Sequence, residues 1–115
     1  MNVAERLTEI LPKDQVSTHP DQLAVASQDE STLEAVTPLA VVWPTTAEDI
    51  AEVVRLCIEI ETPITTRGAG SALEGSTIPS SDGIVLDVSR MTKIVNLWQD
   101  DLQVEVEPGL IYDHL

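Results

Sequence analysis

Residues Thr66 to Ser76, TRGAGSALEGS, place Gly68, Gly70 and Gly75, three of the chain's five glycines, within eight positions. Glycine tolerates positive φ and carries no side chain, so such a run lets several backbone N–H groups converge on one anion. The chemistry this suggests is phosphate binding. Two familiar phosphate loops do not fit. A P-loop requires a lysine followed by Ser or Thr, and the segment holds no lysine. A Rossmann fingerprint requires a third glycine opening a helix, whereas Leu73 occupies that position and the following STIPSSDG is not helical in pattern. Spacing alone leaves two readings open, an anion cradle and a loop that merely turns a corner.

Other residues with chemical potential read more plainly. Glu74 and Asp87 are carboxylates in an acidic chain, where most carboxylates are solvated. Asp87 lies within the apolar run IVLDV and needs a partner if buried; Arg90, three residues on, is the expected one. His19 and His114 are isolated, so no metal site is expected. Cys57 falls on the apolar side of a predicted helix and reads as a small core residue. Trp43 and Trp98 read as core or interface residues, with no aromatic ladder on which bases would stack.

The elements that must position the glycine loop lie on both sides of it. LAVVWP, 39–44, is a short apolar run stopped by proline, as expected of a strand buried on both faces. TTAEDIAEVVRLCIEIE predicts an amphipathic helix of about four turns. Its capping box is expected from Thr45 and Glu48, and Ile50, Val53, Val54, Cys57 and Ile58 form its predicted inward stripe. PITT, 63–66, is a brief strand leading into the loop, and IVLDV, 84–88, a further strand after SSDG. Strand, helix, strand, loop, strand predicts a small parallel βαβ unit. Ile94 to Trp98 and Leu102 to Val106 alternate around Gln99-Asp100-Asp101 and predict an antiparallel hairpin, ended by Pro108-Gly109. LIYDHL then opens a candidate helix, which leads to the expectation that the chain is truncated. Residues 1–37 form a separate N-terminal part: a short helix from Val3 to Leu11, then irregular chain covering the core.

Composition excludes several partner classes. Six basic against twenty acidic residues give a formal charge of −14, which repels nucleic acid and anionic lipid. A phosphate ligand would therefore have to be met locally, by backbone N–H groups and Arg67. No stretch approaches the roughly 18 consecutive apolar residues of a membrane span. The N-terminus lacks a basic-then-apolar leader, and the single cysteine fits a reducing compartment, so a soluble, cytoplasmic protein is expected.

RGAGSALEGS, together with the upstream AVVWPTTAEDIAEVVRLC and the downstream GIVLDVSRMTKI and VEPGL, resembles the N-terminal part of the FAD-binding domain of the vanillyl-alcohol oxidase and p-cresol methylhydroxylase family. Within that family the resemblance is closest to the FAD-linked dehydrogenases that include the glycolate oxidase D subunit and cytochrome-type D-lactate dehydrogenase. It covers roughly Pro38 to Leu115, with four motifs in order. It implies an α+β fold: a small parallel βαβ subdomain of a PCMH-type FAD-binding domain, followed by an antiparallel hairpin.

The resemblance also implies a site. Arg67, Gly68, Ala69, Gly70, Ser71 and Ala72 would form the loop around the FAD pyrophosphate, closed by Gly75 and Ser76. Pro44, ending the first strand, and the turn Pro108-Gly109 match further positions near the FAD. Some relatives tether flavin covalently through a histidine in this loop; Ser71 stands at that position, which implies non-covalent FAD. The parent enzyme would take a hydride from a small-molecule 2-hydroxy acid, of glycolate or D-lactate type, onto flavin N5 and pass electrons to a carrier or to oxygen. The basic and metal-binding residues that contact substrate lie in a later domain of this family, so none of the residues here is expected to be catalytic. The alternative is a non-catalytic fragment or self-associating interaction module that does not bind FAD alone.

Overall fold

The computed structural model describes residues 2–115. Its first helix, α1, runs Val3–Ile10. The Asn2 side chain caps it by accepting the Glu5 N–H at 2.9 Å, and Leu7 is fully buried beneath it. Leu11, expected as the last helical residue, is instead the extended C-cap, as suits a residue preceding Pro12.

The stretch from Pro12 to Val36, expected to be irregular, contains three further elements, the first a 3-10 turn at Lys13–Gln15. Strand β1 is only Val16–Ser17, and helix α2 is Pro20–Ala26. Strand β2, Ala40–Val42, is buried throughout. Helix α3, Ala47–Glu59, leads to strand β3, Ile64–Arg67, and then to strand β4, Ile84–Asp87. The sheet order is β1-β2-β4-β3. The pairs β2·β4 and β4·β3 are parallel, as the βαβ pattern predicts, and β1 adds an antiparallel edge. The two strands joined by α3 are not neighbours, because β4 inserts between them.

Alternation along these strands divides the core in two. Ala40, Val42, Ile84 and Leu86 face α1 and α3, where Leu7, Val53, Leu56 and Cys57 meet them. Val41 and Val85 face the opposite way, against Ala26 of α2, with Leu23 and Trp43 at the margin. A fully buried Val or Ile contributes roughly 1.5–3 kcal/mol, so this small sheet is held mainly by its middle strands.

Helix α3 corrects two details of the sequence reading. Its N-cap is Thr46, whose hydroxyl accepts the Asp49 N–H at 3.1 Å, and Asp49 Oδ2 in return accepts the Thr45 N–H at 3.0 Å. The box therefore sits one residue later than Thr45 and Glu48. Asp49 wins the position because the same oxygen also accepts Gln15 Nε2 at 2.9 Å, a tertiary partner that Glu48 lacks. Val54 and Ile58, expected inward, are exposed, Ile58 by 72%, and Leu56 takes the inward place.

After β4 the chain forms the predicted hairpin from β5, Ile94–Trp98, and β6, Gln103–Val106, with a bulge between Ile94 and Asn96. The candidate helix after Pro108-Gly109 is a single 3-10 turn, Tyr112–His114. The hairpin projects from the sheet. The radius of gyration is 15.1 Å, against roughly 13 Å for a compact domain of this length.

Candidate functional site

Because β2, β4 and β3 run parallel, their carboxyl ends emerge along one edge of the sheet. Trp43 and Pro44 leave from β2, the glycine loop leaves from β3 at Arg67, and Val88 leaves from β4. The crevice outside strand carboxyl ends is where parallel sheets in α/β folds place ligands.

The loop itself is bare backbone. Among the described residues, no N–H from Gly68 to Ala72 donates to a protein acceptor. Backbone donors need partners, so five successive free N–H groups require water or a ligand. Gly70 has φ +73° and Gly75 φ +83°, the left-handed region that favours glycine. Gly68 has no other atom within 4 Å of the place a Cβ would occupy, so its surface is open. Ser71 and Ser76 are exposed, and Ala69 is exposed beside them.

Arg67 does not reach into the open. Its Nη1 donates to the Gln28 carbonyl at 2.6 Å, and its guanidinium lies over Gly70, where any Cβ would overlap it. Its charge therefore lies against the loop at Gly70. Pro44 is fully buried at the end of β2. Gly109 packs so closely on the Val88 carbonyl that a Cβ would overlap it, and its N–H donates to the Met91 carbonyl at 2.8 Å. Pro108 is exposed beside it. Pro44 and Gly109 are thus held at the same edge by packing, with the Gly109 N–H already engaged.

Asp87 and Arg90 do not pair as the sequence suggested. Asp87 Oδ1 accepts the Ser89 N–H at 2.9 Å, closing a local turn. Arg90 instead donates to the Asp14 carbonyl at 2.8 Å and stacks 4.7 Å from the Trp43 ring centroid. The competing partners come from residues distant in sequence. Asp87 and Arg67 are register partners on adjacent strands and line a small cavity with Gln22 and Trp43. Cys57 is buried, and loss of water pushes its thiol pKa up, as suits a core residue.

Asp29 went unnoticed in the sequence. Its Oδ1 accepts the Ser31 N–H at 2.8 Å, and Oδ2 is buried. The Ser31 hydroxyl foremost, then the Ser31 N–H and a weaker pull from the Gly75 N–H, hold its carboxyl below the usual range. Asp-x-Ser is a local turn signal that could have marked this residue, although nothing local shows that the turn meets the glycine loop.

The free N–H run, the two left-handed glycines and the open Cα of Gly68 fit a pyrophosphate, whose oxygens accept several donors at once. Fold and loop together define an α+β module that presents a backbone anion cradle at the carboxyl ends of a parallel sheet. The chain belongs to the FAD binding domain family, whose model matches residues 38–115. It is 35% identical over 74 residues to the glycolate oxidase subunit GlcD of Bacillus subtilis, covering 64% of this chain and 16% of that protein. To the mitochondrial cytochrome-type D-lactate dehydrogenase of Arabidopsis thaliana it is 33% identical over 73 residues, covering 64% and 13%. The structure of p-cresol methylhydroxylase with substrate bound superposes with a TM-score of 0.85 at 30% identity, over 96% of this chain and 22% of that one. The chain therefore spans less than a quarter of the length of these relatives.

Proposed function

We propose that this chain supplies the pyrophosphate-binding part of a flavin-dependent oxidoreductase that oxidises a small 2-hydroxy acid, with FAD held non-covalently. The observation that carries the reading is the run of unpaired N–H groups from Gly68 to Ala72 at the sheet's carboxyl edge, in a chain of an FAD-binding family. Gly68, Ala69, Gly70, Ser71 and Ala72 would donate backbone N–H groups to the pyrophosphate, with the Ser71 and Ser76 hydroxyls free to add donors. Gly75 would close the loop, Arg67 would brace it at Gly70, and Pro44, Pro108 and Gly109 would frame the edge. FAD, when bound, supplies the hydride-accepting chemistry. This chain's residues bind and orient; the 2-hydroxy acid is suggested by the GlcD and D-lactate dehydrogenase relatives.

Titrating FAD into the 115-residue chain tests the binding claim. The expected result is micromolar affinity with competition by ADP, which carries the pyrophosphate without the flavin. Gly70→Ala is expected to weaken binding about tenfold, because the left-handed backbone costs an L-residue roughly 1–2 kcal/mol. Flavin should leave with the supernatant on acid precipitation, since Ser71 offers no histidyl attachment. Unchanged affinity in Gly70→Ala would count against the loop as the binding site.

A second reading is supported by the exposed apolar residues of the hairpin: a self-associating module that does not hold FAD alone. A colourless chain that sediments as an oligomer under saturating FAD would favour it.

A further inference from the structure

Residues Gln28 to Leu33 lie outside the segment matched by the family model, yet they grip the glycine loop along its length. Arg67 Nη1 donates to the Gln28 carbonyl at 2.6 Å, and the Glu30 N–H donates to the Ala72 carbonyl at 3.0 Å. Leu33 Cδ1 lies so close to Gly75 that a Cβ there would overlap it. The segment is itself well tied. Asp29 Oδ1 accepts the Ser31 N–H, the Ser31 hydroxyl accepts the Leu33 N–H at 3.2 Å, and the Val36 N–H donates to the Ser27 carbonyl at 3.0 Å, closing its base.

The loop, by contrast, has little to shape it from within. Between Gly68 and Ile78 the backbone hydrogen bonds, among the described residues, are one internal bond, Ile78 N–H to Gly75 carbonyl, and the strap bond to Ala72. A row of free N–H groups presents like dipoles side by side and gains nothing from holding that shape without an anion. Its conformation must come from neighbours. Ordering a loop in advance removes a cost that binding would otherwise carry.

We propose that Gln28–Leu33 is a strap that pre-organises the glycine loop for a dinucleotide pyrophosphate, with Asp29 and Leu33 as positioning residues; this rests on the FAD-binding reading above. Asp29 fixes the turn that presents the Glu30 N–H to Ala72. Leu33 bears on the Gly75 hinge. Neither touches the ligand.

Two measurements on the whole chain test this. The first is amide hydrogen exchange by NMR without ligand. In Asp29→Ala the Glu30, Ser31 and Ile78 amides should exchange about tenfold faster, as loss of one hydrogen bond in a local opening allows. The Val41 and Val85 amides of the sheet should keep their wild-type rates. The second is FAD and ADP affinity. Asp29→Ala is expected to weaken both about tenfold and Leu33→Ala several-fold, while Asp29→Asn, which keeps an acceptor for Ser31, stays within about threefold of wild type. Unchanged exchange at Glu30 and Ile78 in Asp29→Ala overturns the strap. Faster exchange with unaltered FAD and ADP affinity overturns its role toward the ligand. A wild-type chain that binds neither FAD nor ADP removes the functional reading and the ligand role with it, and the exchange rates then still decide whether the strap holds the loop.

Discussion

The sheet and the hairpin use the same kind of sequence and end in opposite environments. Ile84 in β4 is wholly buried, whereas Leu97 in β5 is 60% exposed and Leu102 at the hairpin turn 95% exposed. Both segments alternate or run apolar, and both form the strands that pattern predicts. The sheet has helices on both faces: α1 and α3 on one, α2 on the other. Among the described residues no helix covers the hairpin, and Gly109 ties it to Val88 and Met91. Periodicity thus specifies a strand, while burial is conferred by whatever packs on top. A lone two-stranded hairpin is marginal in water, so its order leans on that attachment.

The contrast can be broken most severely from the sheet side. Ile84→Ala should destabilise the chain by about 2–5 kcal/mol, read by urea denaturation, because it empties the centre of the larger core. Gly109→Ala comes next: forcing a methyl onto the Val88 carbonyl should cost about 1–3 kcal/mol. Near-complete loss of protection in the hairpin amides, with the sheet amides retained, would show that this contact alone attaches it.

Asp49→Ala should cost about 1–2 kcal/mol by removing the cap reciprocity and the bond from Gln15. The effect depends on pH. The Thr45 N–H, then the Gln15 amide and the Thr45 hydroxyl, lower the Asp49 pKa in the folded chain. Its stabilisation is therefore present above the unfolded value of about 3.9 and is lost as pH falls through the lower folded value. In Asp49→Asn that part of the acid sensitivity should vanish. Smallest of all, Leu97→Ser should change stability by less than about 0.5 kcal/mol. Binding of a hydrophobic dye should nevertheless fall, which sharpens the distinction between apolar residues that stabilise and those that only wait for cover.

Much of the sheet was legible because its cues are local. The proline-stopped run before Pro44, the period of α3 and the loop between two apolar strands each declare themselves within a few residues. The rest depends on tertiary partners. Strand β1 has two residues and no period to detect; it exists because Gln15 anchors it, accepting the Trp43 N–H on its carbonyl at 2.8 Å and donating Nε2 to the Trp43 carbonyl at 3.0 Å. The α3 cap moved by one residue for the same Gln15. Val54 and Ile58 fit a helical stripe in sequence, but the sheet meets α3 along Val53, Leu56 and Cys57. At the site, glycine spacing marked the loop, while the chain that shapes it, around Asp29, lies some forty positions earlier in the sequence.

The order β1-β2-β4-β3 also governs how this chain can come into being. During synthesis β2 and β3 both precede β4 and share no hydrogen bond with each other; β2 has only the short antiparallel β1 beside it, and β3 must await β4. No parallel ladder exists until the chain has emerged from the ribosome as far as about Asp87. The central strand thus acts as a late keystone: both parallel ladders form only once it arrives, and not strand by strand. Until then Ile64–Arg67 remains unpaired and Ala40–Val42 is paired only with the two residues of β1, and the strong negative charge of the chain helps keep such intermediates apart.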